Sequence, residues 1–199
     1  MTAELVGVGA FIVDPQNPAR GFITVEEMIT KKTTNKFQGM RSYPMETIEL
    51  GEDHQQALDR LFIEEVTMRP PLTCTRVKLG RYRLVPKVML HTYLYEAAPD
   101  VVACIGSASS EVKNPVWTTF EEVTQAPLGT FRAGVYETVI NYIEYIKDRT
   151  NFQTKTYVDL RDRISPEVFE LLNEGLNEKE AEKSHFYMKL LIKPLHNNF

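Results

Sequence analysis

Cysteine is scarce in this sequence of 199 residues, which contains only Cys74 and Cys104. The two form neither a CxxC pair nor a Cys/His spacing typical of a zinc site. A small secreted domain that depends on disulfides carries far more cysteine than this. The scarcity therefore argues against a disulfide framework and against a structural zinc site.

The chain also lacks a surplus of basic residues and any long apolar run. It has 23 Lys and Arg against 27 Asp and Glu, a formal net charge of -4, whereas proteins that bind mainly nucleic acid normally carry a basic excess. The apolar run at residues 5–13 is too short to span a bilayer, and no basic segment precedes it. These absences predict a cytoplasmic protein whose main partner is neither nucleic acid nor a membrane.

Hydrophobic residues make up 43% of the chain, which is enough for one sizeable core. Residues 5–13 are apolar on both alternating faces, as in a strand that is covered on both sides. Further strands are expected at residues 21–25, 72–79 and 82–96, with Gly80 and Arg81 as a turn. Apolar residues at helical spacing predict a packed helix within residues 131–147. The polar residues 30–38 are expected to be exposed.

The character of the sequence changes after residue 150. Ser165 and Pro166 are typical of a helix start, and Gly175 is typical of a helix end. We therefore expect an α/β domain over residues 1–150 and a helical C-terminal extension over residues 151–199. The extension would pack on the domain or on the partner in a possible homodimer.

Carboxylates are concentrated in residues 39–68, where a helix is expected from Asp53 to about Met68. At helical spacing, Glu65 falls on the same side as Leu58 and Leu61, whereas Arg60 falls on another side and can reach Glu52. A carboxylate among apolar side chains must be neutralised, paired or bound to metal. The alternatives are a solvated helix face, with a slightly different helix phase, and a site for a divalent cation.

The spacing of these residues resembles the Nudix box, G-x5-E-x7-R-E-U-x-E-E-x-G-U, in which U is apolar. The matching positions are Glu52, Arg60, Phe62, Glu64, Glu65 and Met68. The apolar first strand and the segment VWTTFEEV at residues 116–123 are also similar to the family. The resemblance covers residues 5–147 and implies an α/β fold, the Nudix-type α/β/α sandwich with a mixed β-sheet.

Three positions depart from the box, which is therefore degenerate. Glu46 stands in place of the first glycine, Leu61 in place of the glutamate after the arginine, and Thr67 in place of the last glycine. Glu46 alters a loop that in the family helps to surround the metal, because glycine permits backbone angles that a side chain resists. Leu61 removes a carboxylate that is a metal ligand in typical members.

The resemblance implies a hydrolase that uses Mg²⁺ or Mn²⁺ to cleave the diphosphate linkage of a nucleoside diphosphate derivative. Glu65 is the first choice as metal ligand and Glu64 is the second ligand or the base, while Glu52 and Arg60 would brace the loop. Three further carboxylates could replace the missing ligand, namely Glu46, Glu49 and Glu111.

The alternative is a binding or regulatory module of the same fold, catalytically impaired, that recognises a nucleotide-like small molecule or a protein partner. The survival of the matching residues in register favours the hydrolase.

Other polar residues show no motif. The four histidines have no motif spacing and are expected at structural or surface positions, namely His54, His91, His185 and His196. Arg76, Arg81 and Arg83 could contact phosphates, but they are also typical of a solvated turn.

Overall fold

The computed structural model describes residues 5–31, 34, 36–66, 77–85, 88–97, 109–126 and 129–159. Within these residues the secondary structure comprises eight strands, three α-helices and one short 3-10 helix. The strands are β1 (Leu5–Val13), β2 (Phe22–Glu27), β3 (Arg41–Ser42), β4 (Met45–Thr47), β5 (Val77–Val85), β6 (Val88–Glu96), β7 (Val112–Thr118) and β8 (Lys155–Asp159). The helices are α1 (His54–Glu64), α2 (Phe120–Gln125) and α3 (Val135–Lys147), and the 3-10 helix is Pro18–Arg20.

The described strands form one mixed sheet in the order β3-β2-β1-β6-β5-β8, with β4 also paired to β1 and β7 to β2. β1 runs parallel to β6 over its whole length, from Leu5 opposite Val88 to Val13 opposite Glu96. β2 and β4 pair antiparallel with β1, and β5 pairs antiparallel with β6. β1 therefore lies at the centre of the sheet.

The two faces of β1 carry the two halves of the core. Val8, Ala10 and Ile12 pack in the same cluster as the buried side of α1. Phe11 and Val13 point the other way, as alternate strand residues do, and pack in the cluster that contains the buried residues of α3. The predicted α/β/α sandwich is thus confirmed. The prediction that residues 5–13 are covered on both faces is confirmed for residues 7–13 and wrong at Leu5, which is exposed.

Gly80 and Arg81 do not form the predicted turn, because both lie inside β5. The pairing of β5 with β6 shifts between Lys78 and Gly80, which indicates a bulge. A Cβ on Gly80 would lie 2.1 Å from the hydroxyl oxygen of Tyr82. The glycine therefore serves the close approach of a buried tyrosine, which is a common role of glycine at a strand bulge.

The sheet extends past the predicted domain boundary. β8 begins at Lys155 and runs parallel to β5 at the end of the strand order, although residue 151 was the expected start of a helical extension. The helices predicted from Ser165 onward lie outside the described residues, as do Cys74 and Cys104. In the part of the chain that is described, no helix has the length and apolar character needed to cross a membrane.

Candidate functional site

Helix α1 begins with a strong cap. The side chain of Asp53 accepts a hydrogen bond from the backbone N–H of Gln56, and the Gln56 side chain accepts one from the N–H of Asp53. This reciprocal pair satisfies donors that the first turn leaves free. The helix then buries Ala57, Leu58 and Leu61, as the sequence predicts, and this fixes the directions of the box residues.

Arg60 contacts carboxylates of the loop before the helix. Its Nε and Nη2 atoms each lie 2.9 Å from an oxygen of Glu52, and Nη2 also donates to the Thr47 carbonyl at 2.7 Å. The Arg60 hydrogen bonds lower the pKa of Glu52 to about 2. The contact predicted between Arg60 and Glu52 is therefore present.

The same guanidinium faces three more of the predicted site residues. Arg60 Nη1 lies 3.3 Å from Glu46, 3.9 Å from Glu49 and 3.8 Å from Glu64. Glu49 and Glu64 are mainly exposed, with 71% and 51% of their side chains accessible. The acids of the loop and the outer side of α1 thus collect around Arg60.

Glu65 lies apart from that group, and its side chain is buried in the interior. It caps the C-terminus of α1 and is 4% exposed, and its Oε2 accepts a hydrogen bond from the backbone N–H of Met45 at 2.9 Å. Burial, reinforced by the charges of Glu27 and Glu46, raises the pKa of Glu65 to about 8. The carboxyl group is therefore mostly protonated at neutral pH.

Glu27 is the centre of a buried ionic network beside Glu65. Its Oε1 accepts hydrogen bonds at 2.8 Å from Arg132 Nη1 and from the hydroxyl of Ser42. Lys36 Nζ lies 2.9 Å from Glu27 Oε2, and both side chains are nearly inaccessible. The prediction that residues 30–38 are exposed is wrong at Lys36, because this long side chain folds inward to neutralise Glu27.

Glu111 completes the network from the start of β7. It accepts hydrogen bonds from Lys36 Nζ at 3.0 Å and from Lys31 Nζ at 2.6 Å. Burial opposes the charged form of Lys36, but the hydrogen bonds and charges of Glu27 and Glu111 outweigh it and raise the Lys36 pKa. Glu111 therefore faces two ammonium groups.

A small pocket opens against this network. Its wall includes the ends of Lys31, Lys36 and Arg132, together with Glu46, Glu65 and Glu111. The first residues of β1 and β6 and the strand β4 complete the lining. The pocket combines cationic groups with the buried carboxyl of Glu65.

Leu61 stands where the box has a glutamate. It is 0% exposed and packs in the core cluster between α1 and β1. The Leu61 carbonyl accepts the backbone N–H of Glu65 at 2.9 Å. The position one turn before Glu65 is therefore apolar and closed.

The donor set does not fit a divalent metal. Mg²⁺ and Mn²⁺ require several oxygens facing one point, yet Glu46, Glu49 and Glu64 face Arg60. Glu111 is paired with two lysines. Among the described residues, no group of three or more His, Cys, Asp and Glu side chains is placed to hold a metal ion.

Sequence reasoning missed Glu27, Lys36 and Arg132. A signal for Glu27 was available, since it continues the alternation of the buried residues Ile23 and Val25 along β2. No local pattern marks Lys36 or Arg132, because their partners lie far along the chain.

No family model matches the chain, and no curated protein matches its sequence. Solved structures do match its fold. The Nudix domain of Shewanella oneidensis NrtR, solved in complex with ADP-ribose, has a TM-score of 0.56 and 16% identity over 73% of this chain and 90% of that one.

Two further structures agree. A MutT Nudix hydrolase from Burkholderia pseudomallei has a TM-score of 0.55 and 13% identity over 71% of this chain and 98% of its own. An ADP-ribose pyrophosphatase from Streptococcus suis has a TM-score of 0.53 and 11% identity over 78% and 100%. Together with the sandwich and the position of the box on α1, these matches show that the chain has the Nudix fold.

Proposed function

We propose that this chain is a Nudix-fold binding module for a nucleotide-like ligand that carries a diphosphate, and that its metal-dependent hydrolysis is impaired. The observation that carries the proposal is that a buried leucine, Leu61, occupies a position where the box has a metal-binding glutamate. One helical turn later, Glu65 is buried and largely protonated. A hydrolase of this type depends on carboxylates that hold a metal ion, and here Glu46, Glu49 and Glu64 face Arg60. Glu111 faces two lysines.

The pocket beside Glu65 supports an anionic ligand. Three cationic side chains, Lys31, Lys36 and Arg132, line it, and Arg and Lys are common contacts for phosphate in proteins. Glu27 and Glu111 offset only part of that charge, whereas Glu46 is directed to Arg60. A diphosphate could exchange for one of the carboxylate contacts of these cations.

ADP-ribose is the first ligand to test. It is the compound in the complex of the NrtR Nudix domain, and it contains a diphosphate between two ribose groups. It therefore combines the chemistry that the pocket favours with a nucleotide that could form apolar contacts.

The hydrolase is the second candidate, and one contact favours it. Glu52 and Arg60 form the bidentate pair that would brace the loop against α1. Glu64 and Glu65 follow Arg60 at the spacing of the box. In this candidate, Glu65 and Glu64 would hold Mg²⁺ or Mn²⁺, with Glu46, Glu49 or Glu111 replacing the missing ligand.

One experiment separates the two candidates. The full chain is titrated with ADP-ribose, NAD and a nucleoside diphosphate sugar, with EDTA or with Mn²⁺, while melting temperature and product formation are followed. A binding module is stabilised by one ligand without consuming it and needs no metal. Turnover that requires Mn²⁺ and disappears in Glu65→Gln would support the hydrolase instead.

A matched pair of variants locates the binding. Lys31→Met removes one cation from the pocket wall, whereas Lys155→Met removes an exposed lysine that pairs with Glu144 elsewhere on the surface. We expect weaker binding only in the first. Equal affinities in both variants would contradict binding at this pocket.

A further inference from the structure

A second group of cationic side chains lies at the opposite end of α1 from Glu65. His54 is the first residue of α1, and Lys78 and Arg81 lie on β5. In the sheet register, Lys78 is opposite Tyr93 and Arg81 is opposite His91. We call these five residues the Lys78 cluster. At 1.5 Å per helical residue, His54 is roughly 16 Å from Glu65, so the cluster is separate from the pocket described above.

The three ring-bearing members of the Lys78 cluster are in close contact. His54 Nδ1 and the Tyr93 hydroxyl are 2.7 Å apart and share a hydrogen bond. The rings of His54 and His91 meet edge to face, with centroids 4.4 Å apart. All five side chains are half-buried. The rings therefore pack against one another and are not separate solvated side chains.

Two polar atoms of this surface have no partner in the part of the chain that the structure describes. His91 Nδ1 and Arg81 Nε are both buried and make no hydrogen bond within the described part of the chain. Such atoms normally find a partner, because a buried polar atom without one destabilises the fold. Both atoms are inaccessible to solvent, so each would gain a partner only if its side chain turned toward a ligand at the surface.

Neither Lys78 nor Arg81 forms an ion pair with any residue in the described ranges. Burial, followed by the charges of Lys78, His54 and Arg81, lowers the pKa of His91 to about 4. The nearby acid is Asp53, which raises the pKa of His54 only as a minor effect, and its side chain already accepts the Gln56 N–H.

The chemistry of these groups selects an anion over a metal ion. Two imidazoles alone are too few ligands for a zinc site, and the adjacent Lys78 and Arg81 would repel a cation. A phosphate group instead accepts hydrogen bonds from guanidinium, ammonium and imidazole donors. The N-terminus of α1 beside His54 adds a favourable dipole.

We propose that the Lys78 cluster is a binding site for a phosphate-bearing small molecule, distinct from the pocket beside Glu65. The phosphate would lie between Lys78, Arg81 and the two histidines, where it accepts hydrogen bonds from the Lys78 ammonium and from the Arg81 guanidinium. Tyr93 would hold the His54 ring in place through its hydroxyl.

The test uses inorganic pyrophosphate and the full chain with EDTA. Histidine side-chain NMR signals and calorimetry follow the titration, with chloride at equal ionic strength as the reference. We expect the His54 and His91 signals to shift on titration. Arg81→Gln should weaken pyrophosphate binding by roughly tenfold or more, whereas Lys113→Gln, which alters an exposed pair with Glu26, should leave it unchanged.

A stability measurement separates a binding role from a structural one. If the cluster is held for a ligand, Arg81→Gln and Lys78→Gln relieve like-charge repulsion and raise the melting temperature of the free protein. If the cations only support the fold, both variants lower it. Unchanged histidine signals at saturating pyrophosphate, or equal weakening in Lys113→Gln, would overturn the proposal. Lys31→Met separates this site from the pocket beside Glu65, because only the latter loses affinity in that variant.

Discussion

The ammonium of Lys36 lies 2.9 Å from Glu27 Oε2, and both side chains are nearly fully buried. Both charges of this pair act on the pKa of Glu65, which Glu27 raises and Lys36 lowers. A cation that belongs to the chain thus neutralises Glu27, whereas the nearby Glu65 has a raised pKa.

Lys36→Met should destabilise the protein strongly. The substitution leaves the buried Glu27 with Arg132 and Ser42 as its remaining partners and removes one of the two lysines from Glu111. Breaking a buried ion pair at one partner typically costs about 3–5 kcal/mol. Urea unfolding at pH 7 gives the change in free energy.

Lys31→Met is the matched control for Lys36→Met. Lys31 also pairs with Glu111, but 47% of its side chain is exposed, and exposed pairs contribute about 1 kcal/mol or less. Similar losses in the two variants would show that the interior position of Lys36 contributes little.

Glu65 should make the protein less stable as the pH rises through neutrality. Its pKa is raised from 4.5 to about 8, so between these values the folded state binds a proton that the unfolded state has released. The free energy of unfolding therefore falls as pH rises across this window, by at most about 1.4 kcal/mol per pH unit. Urea unfolding from pH 6.5 to 8.5 measures the slope.

Glu65→Gln should remove this slope, since glutamine does not titrate. The lower limit of pH 6.5 matters because His91 has a lowered pKa of about 4, and a histidine kept neutral in the fold makes stability rise with pH between about 4 and 6.5. Parallel pH profiles of the wild type and Glu65→Gln would contradict the raised pKa.

Arg60→Lys should destabilise the loop before α1 although it keeps the charge. A lysine cannot reproduce the two parallel hydrogen bonds to Glu52 and the third bond to the Thr47 carbonyl. We expect a loss of about 1–2 kcal/mol, because the side chain remains partly exposed. Arg149→Lys alters an exposed pair with Glu96 and should change stability by less than about 0.5 kcal/mol. Equal changes would show that the geometry at Arg60 is unimportant.

Local sequence patterns predicted the parts of the structure that depend on local physics. Asp53 at the helix start, the apolar side of α1 and the alternation of β1 each follow from a repeat that short segments reveal. Glu65 was placed on the buried side for the same reason, and the structure confirms that position. The pair of Arg60 with Glu52 followed because both lie within one loop and one helix.

The rest depended on contacts between distant segments. Lys36 looks like part of a polar loop until Glu27 and Glu111 are brought to it by β2 and β7. Gly80 looks like a turn until the Tyr82 hydroxyl is placed over it. In both cases tertiary packing overrode a correct local propensity.

Leu61→Glu tests whether the apolar box position is what prevents metal binding. Leu61 is fully buried, so the substitution and its neutral control Leu61→Gln should each destabilise the protein by several kcal/mol, because each places a polar group in the core. In Leu61→Glu, however, two carboxyl groups stand one helical turn apart on the inner side of the chain, at positions 61 and 65.

Millimolar Mn²⁺ should then raise the melting temperature of Leu61→Glu and leave the wild type and Leu61→Gln unchanged. An ion that binds only the folded state stabilises it in proportion to the logarithm of its concentration over Kd, so the size of the shift reports the affinity. Equal Mn²⁺ stabilisation of all three proteins would mean that the wild-type carboxylates already hold the ion, and the hydrolase would then be the better account of this chain.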